Sequence, residues 1–493
     1  MDDNITPYLK GYILDLIQLI FLVFLSICII NYTSFTMNQT YFLILLVLFF
    51  ISKKNHIWFV FILLVLTRIG GFFDVEMGDS KSLAYYRVAP GVVFHFFELF
   101  FFAALLKAII KGEKKILIFR KPIKYIIYLI VIIALLSLGI GITIDDIIYH
   151  TRLLLVYTGL ISIPYLLLKK EDYIKLVYLI FPFIFIILSD QLFYLFTKQS
   201  LGSFFSISSV ANIEVKDIDE LLAPGRFELR AANVSVPVII ISFFFSQFFI
   251  LQQKSTKYKS FLYFVLFASL IVVLLSATRY LMGIIFFSFI ISVLFILKVK
   301  RQIILYSFSG ILLFVMLYFV HPRFKLAIDQ DFERFMTVKE LSEEGITDET
   351  VNGRVTRVKN VLAGFKKSPV LGMGFSSDYF KYFDFHAGNF NMLLQVGIVG
   401  FLFFVYFWFY IFYVINNTRK KLSKINNYRN AFSILFLFVV STMIAHFTTK
   451  QMFGISIDKE LIFLWVIFLV SVDFFIKDAL EQEDKIQREY IIK

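Results

Sequence analysis

Long apolar runs recur along the whole chain, with short polar segments between them. Most runs hold about 17–25 residues, the length that an α-helix needs to cross the roughly 30 Å hydrocarbon core of a membrane. Read together with the basic segments between them, the runs predict about fourteen membrane-spanning helices and an all-α polytopic membrane protein. The predicted spans are 11–31, 40–52, 57–70, 89–110, 125–144, 152–168, 173–196, 234–252, 260–277, 280–297, 302–320, 389–415, 431–447 and 460–476.

Two polar segments, 197–233 and 321–388, are too long to be simple connections between spans. Long structured loops frequently carry function. In the second segment, apolar residues recur at helical spacing over 351–367, and Asn352 is a suitable N-cap for the helix that this spacing predicts. The chain is therefore expected to hold a large, partly helical external loop.

The charge distribution fixes the orientation of the chain rather than its partners. The chain is 59% hydrophobic and carries a formal net charge of +13, and its mean hydropathy is +0.80. In the fourteen-span topology, the basic clusters at 111–124, 254–259, 298–301 and 419–424 all lie on the side of both termini, as the positive-inside rule requires. Segment 321–388 holds ten Lys/Arg against ten Asp/Glu. We therefore expect both termini to be cytoplasmic and no nucleic acid to bind.

The first apolar run, the single cysteine and the missing motifs narrow the class of protein further. The first apolar run has no basic flank and no small-residue cleavage site, so we expect a spanning helix rather than a cleaved signal peptide. The single cysteine, Cys28, excludes an intrachain disulfide. No Walker loop, HExxH or CxxC pair occurs, and a metal role for Asp145 and Asp146 has weak support. We expect no cofactor.

Arginines at the predicted external ends of spans are the first candidates for a binding or catalytic role. Arg226, Arg230 and Asn233 come just before one span, Arg279 begins another, and Arg354 and Arg357 lie three residues apart on the predicted external helix. A guanidinium group suits bidentate binding of phosphate oxygens. The alternatives are a solvated helix face for the last two residues and interfacial anchoring for the others.

Polar residues at the external beginnings of spans are the second group. His386 and Asn389 precede an apolar run, and a histidine there is either a general base or structural. Gly397 and Gly400 in that run suggest close helix packing. His95 and Glu98, three apart in another span, are either functional or satisfy each other.

Four local patterns together resemble the O-antigen ligase/polymerase superfamily of bacterial envelope glycosyltransferases. They resemble its arginine-to-asparagine element, its serine/threonine-arginine helix start, its "GR … P-hydrophobic-G-x-G" signature and its "HN … G-[IL]-x-G" helix start. The patterns are Gly225-Arg226 to Asn233, Ser276-Ala277-Thr278-Arg279, Gly353-Arg354 with Pro369-Val370-Leu371-Gly372-Met373-Gly374, and His386 to Asn389 with Gln395-Val396-Gly397-Ile398-Val399-Gly400. The resemblance covers about 220–415. One departure is that Ala387 and Gly388 separate His386 from Asn389.

The resemblance implies a GT-C-like fold and a metal-independent glycosyltransferase. Its donor would be an undecaprenyl-pyrophosphate-linked glycan at the outer face of the bacterial cytoplasmic (inner) membrane. We expect a polymerase of O-antigen or a related surface polysaccharide, whose acceptor is a second lipid-linked repeat unit. A ligase that transfers the glycan to lipid A-core or protein is the alternative. From a different class, a lipid-linked oligosaccharide flippase stays open.

The resemblance also implies residue roles. The expected catalytic residues are His386, which activates the acceptor, with Arg279 and Arg354. The expected substrate-binding residues are Arg226, Arg230, Asn233, Arg357 and Asn389. Membrane lipid, a chain-length regulator and a flippase are the partners that this chemistry allows.

On this basis the chain divides into three parts. Residues 1–200 would form N-terminal transmembrane helices and 201–415 the ligase/polymerase-like core with both external loops. Residues 416–493 would form C-terminal transmembrane helices and a cytoplasmic tail.

Overall fold

The structure is a computed structural model, and most of the described chain is helical. It describes residues 11–69, 72–73, 85–89, 92–113, 115, 117–139, 141–197, 201–204, 235–252, 256–276, 278–297, 318–319, 325, 329, 349–384, 387–423, 428–445 and 459–492. The predicted span 302–320 and loop 197–233 therefore lie almost entirely outside the described residues, as does most of 321–348.

The elements follow one another in this order. The N-terminal ones are α1 Tyr12–Tyr32, α2 Phe35–Ile51, α3 Asn55–Leu66, β1 Tyr85–Ala89, β2 Val92–His95, α4 Phe96–Lys111, α5 Arg120–Gly139 and α6 Ile144–Thr151. A 3₁₀ helix Arg152–Thr158, α7 Gly159–Leu166, α8 Lys170–Tyr178, α9 Phe183–Thr197 and a 3₁₀ helix Leu201–Phe204 come next. Then come α10 Val236–Gln252, α11 Thr256–Leu275, α12 Arg279–Ile291 and a π-helical turn Ser292–Ile296. The last are α13 Glu349–Phe365, α14 Ser377–Tyr382, α15 Gly388–Lys421, α16 Tyr428–Ala445 and α17 Lys459–Ile492.

Where the structure describes them, the apolar runs of the sequence lie mainly in helices. Among the described residues, five helical stretches are long and apolar enough to cross a membrane: Tyr12–Tyr32, Arg120–Leu138, Lys170–Tyr194, Tyr258–Leu275 and Gly388–Lys421. Six shorter apolar helices accompany them in the same part of the chain. An all-α membrane protein is consistent with this, while the count of fourteen spans stays a prediction.

Several predicted spans differ from simple helices, and two of them show the cause in their sequence. Residues 89–110 begin in a two-stranded hairpin of β1 and β2, and the helix α4 starts only at Phe96. The sequence Pro90-Gly91 between the strands favours a turn. Residues 173–196 are divided between α8 and α9, because Pro182 has no N–H to donate and disfavours helical geometry at Phe181.

The described chain forms two compact units. The first comprises residues 1–85 and 174–348, and the second comprises 86–173 and 349–493. In the first unit, α11 packs against α10 and α9. Nearly every residue of α10 is buried, which is the pattern of a helix that is apolar all round and enclosed by others.

A buried carboxylate joins three elements of the first unit. Asp15 of α1 is 2% exposed. Its Oδ1 lies 2.7 Å from Nζ of Lys54, and its Oδ2 lies 3.0 Å from Nζ of Lys175 and 3.3 Å from Nε2 of His56. A carboxylate in an apolar interior is stable only when it is paired. This cluster therefore fixes α1, the beginning of α3 and α8 to one another.

In the second unit, α4 and α17 both pack against α7, while α15 packs against α16, α5 and α13. One end of this unit carries a second buried carboxylate. Glu98, which is fully buried, accepts a hydrogen bond from the His95 backbone N–H at 2.8 Å, and its Oε1 lies 3.1 Å from Nε of Arg152. Nζ of Lys459 lies nearby, 3.8 Å from the centroid of the Phe97 ring. The expectation that His95 and Glu98 satisfy each other is confirmed, since the two residues form a capping box at the beginning of α4. Arg152 faces the same carboxylate.

Other ion pairs and hydrogen bonds lie at the opposite end of the second unit. Lys170 Nζ lies 2.8 Å from the Asp478 carboxylate, and Lys115 Nζ donates to the carbonyl oxygen of Leu168 at 2.9 Å. The Asp473 carboxylate accepts a hydrogen bond from the Ile118 backbone N–H. The predicted topology would assign these residues to the cytoplasmic side and those around Glu98 to the external side, and this topology stays a prediction.

We expect Asp15→Asn to lower the stability of the protein by about 3–5 kcal/mol, since it leaves buried cations without their carboxylate. The measurement is the thermal unfolding midpoint of the purified protein in detergent. Asp15→Asn combined with Lys175→Met should recover part of the loss. Lys53→Gln changes an exposed neighbour of Lys54 and should leave the midpoint unchanged. An unchanged midpoint for Asp15→Asn would show that the cluster does not hold these helices.

Candidate functional site

The segment from residue 349 onward, which the sequence predicts to be external, folds against the beginning of helix α15. Val361 of α13, Tyr379 of α14, and Ala387 and Leu394 around the start of α15 are all buried in one apolar cluster. Burial also raises the pKa of the Tyr379 phenol, which keeps this side chain neutral in the cluster. The described part of the polar segment 321–388 is therefore a packed structure with its own small apolar core.

Helix α13 confirms the amphipathic helix that was predicted over 351–367, with one correction. The helix runs from Glu349 to Phe365, so Asn352 lies inside it and is not its N-cap. Acidic Glu349 at the beginning suits the positive end of the helix dipole, a signal that apolar periodicity does not detect. Arg354 lies seven residues, or about two turns, before buried Val361, so the two positions share a face of the helix.

Helix α15 is interrupted at Gly397, where φ is 64° and ψ is −170°. In an uninterrupted helix, the N–H groups of Ile398 and Val399 would donate to the carbonyl oxygens of Leu394 and Gln395, four residues earlier. The break leaves two donors and two acceptors without those partners. Gly397 lies nine residues after the first residue of α15, about 13 Å along the helix at 1.5 Å per residue.

The loop 369–375 supplies a partner for each of these four groups. Ile398 N–H donates to Pro369 O at 2.9 Å and Val399 N–H donates to Val370 O at 3.2 Å. In return, Met373 N–H donates to Leu394 O at 2.7 Å and Gly374 N–H donates to Gln395 O at 2.8 Å. We call this set of four hydrogen bonds the loop–helix clasp.

Two glycines make the clasp sterically possible. Gly372 has φ +72°, and a Cβ there would lie 2.4 Å from the carbonyl group of Gln395. Gly397 has φ +64°, and a Cβ there would lie 2.2 Å from the carbonyl oxygen of Val370. Both obstacles are backbone atoms, so neither can move aside as a flexible side chain would. Gly397 was expected to permit helix packing, and the structure corrects this, because Gly397 breaks the helix and admits the loop.

The neighbouring glycines bring the clasp close to helix α5. A Cβ at Gly400 would lie 2.3 Å from Cβ of Val396 in the same helix and 3.3 Å from Leu129 of α5. The expectation of close helix packing is therefore confirmed only in part, because the tighter limit comes from within α15. A Cβ at Gly374 would lie 2.7 Å from Oγ of Ser137. Ser137 Oγ also accepts a long hydrogen bond of 3.5 Å from the Phe375 N–H. Helix α5 therefore supports the clasp from the side.

Several polar contacts just before the beginning of α15 share Asp384. Its backbone N–H donates to Oδ1 of Asn391 at 3.2 Å, and its carbonyl oxygen accepts from Nδ2 of Asn391 at 2.6 Å. The same carbonyl accepts from the Ala387 N–H at 3.0 Å. Asp384 Oδ2 lies 3.8 Å from Nε of Arg357, which is about half exposed. The structure thus brings Arg357 to the chain immediately before His386.

The other predicted site residues are described to different extents. Arg226, Arg230, Asn233 and His386 lie outside the described residues. Arg279 begins α12 after Ser276 and Thr278, which confirms the predicted helix start, but its side chain is not described, and the same holds for the side chain of Arg354 in α13. Asn389 is the second residue of α15 and is partly buried. Arg279 belongs to the first unit, whereas Arg354, Arg357 and Asn389 belong to the second.

Comparison with known proteins identifies this part of the chain. Residues 264–405 match the family model described as O-antigen ligase. This match supports the O-antigen ligase/polymerase superfamily that the sequence patterns resemble. No curated protein matches the chain. The matched range includes α12, α13, α14, the loop–helix clasp and the first half of α15.

Sequence reasoning missed several residues of the matched range and its support. Asp384 and Asn391 were not singled out, although an asparagine within the apolar run after Asn389 was a usable signal. Ser137 was also missed. Local pattern gave no signal for it, because it lies against Gly374 and Phe375, far away in the sequence.

We expect Gly397→Ala and Gly372→Ala to disrupt the clasp. Each forces a Cβ into a left-handed conformation, at about 1–2 kcal/mol, and into contact with fixed backbone atoms as well. The unfolding midpoint in detergent and the yield of monodisperse protein should both fall. Gly283→Ala is the control, since its Cβ would meet nothing within 4 Å and alanine favours a helix by about 1 kcal/mol over glycine. Equal midpoints for Gly397→Ala and Gly283→Ala would contradict the clasp.

Proposed function

We propose that this chain is a bacterial membrane glycosyltransferase that polymerises undecaprenyl-pyrophosphate-linked repeat units into O-antigen or a related surface polysaccharide. The loop–helix clasp within the matched domain is the observation that carries this proposal. It attaches a polar segment containing Arg357 directly to a break in an apolar helix long enough to cross a membrane. A substrate with a sugar head and a lipid tail needs a site at such a boundary.

The proposed reaction exchanges one bond for another at the donor sugar. An acceptor hydroxyl oxygen attacks the anomeric carbon, and the bond from that carbon to the pyrophosphate oxygen breaks with its electron pair going to the leaving group. The hydroxyl proton passes to His386. Negative charge grows on the pyrophosphate, and preorganised donors aimed at that charge are the most effective stabilisers.

We assign this stabilisation to guanidinium groups rather than to a metal ion. Arg226, Arg230 and Arg279 would bind pyrophosphate, and Arg354 and Arg357 would bind pyrophosphate or glycan. Asn233 and Asn389 would bind the substrate as well. The support is that Nε of Arg357 lies 3.8 Å from the carboxylate of Asp384, which is two residues before His386 in the sequence.

The setting of the proposed reaction is the bacterial inner membrane. We propose a GT-C-like arrangement of about fourteen spans, with both termini cytoplasmic and the site on the external face. The two separate polar ends of the second unit support this orientation. A flippase that delivers the donor and a regulator of chain length are the expected partners. Because the matched family consists of glycan-transferring enzymes, the match favours transfer over lipid flipping.

Ligation is the second candidate, and the description of the matched family as O-antigen ligase favours it. The chemistry at the donor would be the same. Only the acceptor would differ, being lipid A-core or a protein in place of a second lipid-linked repeat unit.

Purified protein in vesicles of bacterial lipid, supplied with undecaprenyl-pyrophosphate repeat units alone, should yield a ladder of glycans separated by one repeat. The ladder should persist in EDTA, since guanidinium groups stabilise the leaving group. Product that forms only after lipid A-core is added would indicate a ligase. No transfer to either acceptor would contradict the proposal.

In the same assay, Arg279→Ala and Arg354→Ala should each lower kcat on the order of 10²-fold, the cost of removing one donor to developing charge. Lys359→Ala is the matched control, since Lys359 is an exposed cation on α13, and its rate should stay within about two-fold of wild type. Wild-type rates for both arginine variants, at normal protein abundance, would remove these residues from the site.

A further inference from the structure

The loop 369–375 and helix α15 share one exposed apolar surface. Val370 and Leu371 of the loop are 57% and 42% exposed, and Ile398, Val399 and Leu402 of α15 are 47%, 38% and 59% exposed. The loop and the helix are joined along their backbones at this point, because the N–H groups of Ile398 and Val399 donate to loop carbonyl oxygens. We call these five side chains the apolar patch. The patch therefore extends the exposed surface of a helix long enough to cross a membrane.

Helix α5 gives the height of the patch relative to the apolar layer. Its stretch Arg120–Leu138 has 19 residues and is apolar enough to cross a membrane. At 1.5 Å per residue it measures about 29 Å, nearly the thickness of the hydrocarbon layer. A Cβ at Gly374 of the loop would lie 2.7 Å from Oγ of Ser137, one residue before the end of that stretch. The loop is therefore level with the last turn of an apolar span, where Leu135 and Leu138 are 62% and 46% exposed.

The backbone of the loop suits a position at the edge of the apolar layer. A non-helical segment is stable at that depth only when its backbone polar groups have partners. The loop–helix clasp supplies partners for four of these groups, and Gly372 N–H donates in addition to the carbonyl oxygen of Ser368 at 2.9 Å. A loop that lies wholly in water needs no such pairing, because water satisfies its polar groups.

The charge that precedes the patch is entirely positive. Residues 350–377 hold no acidic residue and five cations, which are Arg354, Arg357, Lys359, Lys366 and Lys367. Lys366 and Lys367 come directly before the loop and are exposed, and Nζ of Lys367 lies 4.8 Å from the centroid of the Tyr382 ring. This local excess is hidden in the balanced charge of the whole segment 321–388. Lysines beside an apolar surface at the membrane edge suit the binding of anionic lipid head groups.

We propose that residues 366–371 anchor the predicted external segment to the lipid bilayer. Val370 and Leu371 lie in the apolar edge of the bilayer, and Lys366 and Lys367 bind the phosphate groups of anionic phospholipids. The occupant of the patch is the bilayer rather than a second protein, because the patch continues the exposed surface of a membrane-crossing helix and follows cations without acidic residues. The anchor is independent of the reaction that the protein catalyses, so its test needs no substrate.

The accessibility of nitroxide labels in lipid nanodiscs tests the depth of the loop. The labels are attached at Leu371→Cys and, separately, at Val370→Cys, in a Cys28→Ser background that removes the only native cysteine. Both loop positions are exposed, so these substitutions should change stability little. Both labels should collide readily with oxygen, which concentrates in the apolar layer, and poorly with a water-soluble nickel chelate. Leu402→Cys of α15 is the lipid control, and exposed Lys359→Cys of α13 is the water control.

Two outcomes of the labelling experiment would overturn the anchor. Loop labels that meet the nickel chelate as readily as the label at Lys359→Cys would place the loop in water. Loop labels that are shielded from both oxygen and the chelate would show that protein covers the patch, either from this chain or from a second one.

The role of the two lysines is tested by the lipid composition around the loop. A fluorophore at Leu371→Cys, in nanodiscs with equal amounts of phosphatidylglycerol and phosphatidylcholine, should be quenched more by brominated phosphatidylglycerol than by brominated phosphatidylcholine. This preference should be lost in Lys366→Gln/Lys367→Gln and kept in the control Lys359→Gln. Equal quenching by the two lipids in protein that keeps all its lysines would contradict phosphate binding by Lys366 and Lys367.

Discussion

The need to satisfy backbone hydrogen-bonding groups inside a membrane is the constraint on which this site depends. An apolar environment offers no water to an interrupted helix, and each unsatisfied group costs several kcal/mol. Helix α15 is interrupted at Gly397, and the four groups that lose their helical partners are bound by the loop 369–375. Broken helices are tolerated at membrane depth where protein encloses the exposed backbone. The loop and the interrupted helix therefore stabilise each other, because each satisfies backbone groups of the other.

The rest of the candidate site extends outward from this clasp. Helix α13 packs on the beginning of α15 through Val361, Tyr379 and Leu394. Further out, Asn391 and Arg357 meet at Asp384. Backbone pairing, apolar packing and charge thus follow one another outward from the clasp.

The fold could be predicted from the sequence as far as local periodicity reaches. Apolar runs gave the helices, and helical spacing gave α13, because both signals lie within one element. The clasp could not be predicted, since Gly372 and Gly397 look like ordinary small residues until the backbone of the other segment is known. Asn391 was missed for the same reason. The pairing of His95 with Glu98 was foreseen, but Arg152, more than fifty residues away, which faces the same carboxylate, was not. A single sequence does not reveal contacts between segments that are distant along the chain.

Amide hydrogen exchange over residues 369–375, in protein reconstituted in lipid nanodiscs, tests the clasp most directly. The N–H groups of Met373 and Gly374 donate to helix carbonyls, so this non-helical peptide should exchange as slowly as the peptide around Ile398 and Val399. Both peptides should lose protection together in Gly397→Ala. Exchange of 369–375 at the rate of an unstructured chain, while α15 stays protected, would contradict the account.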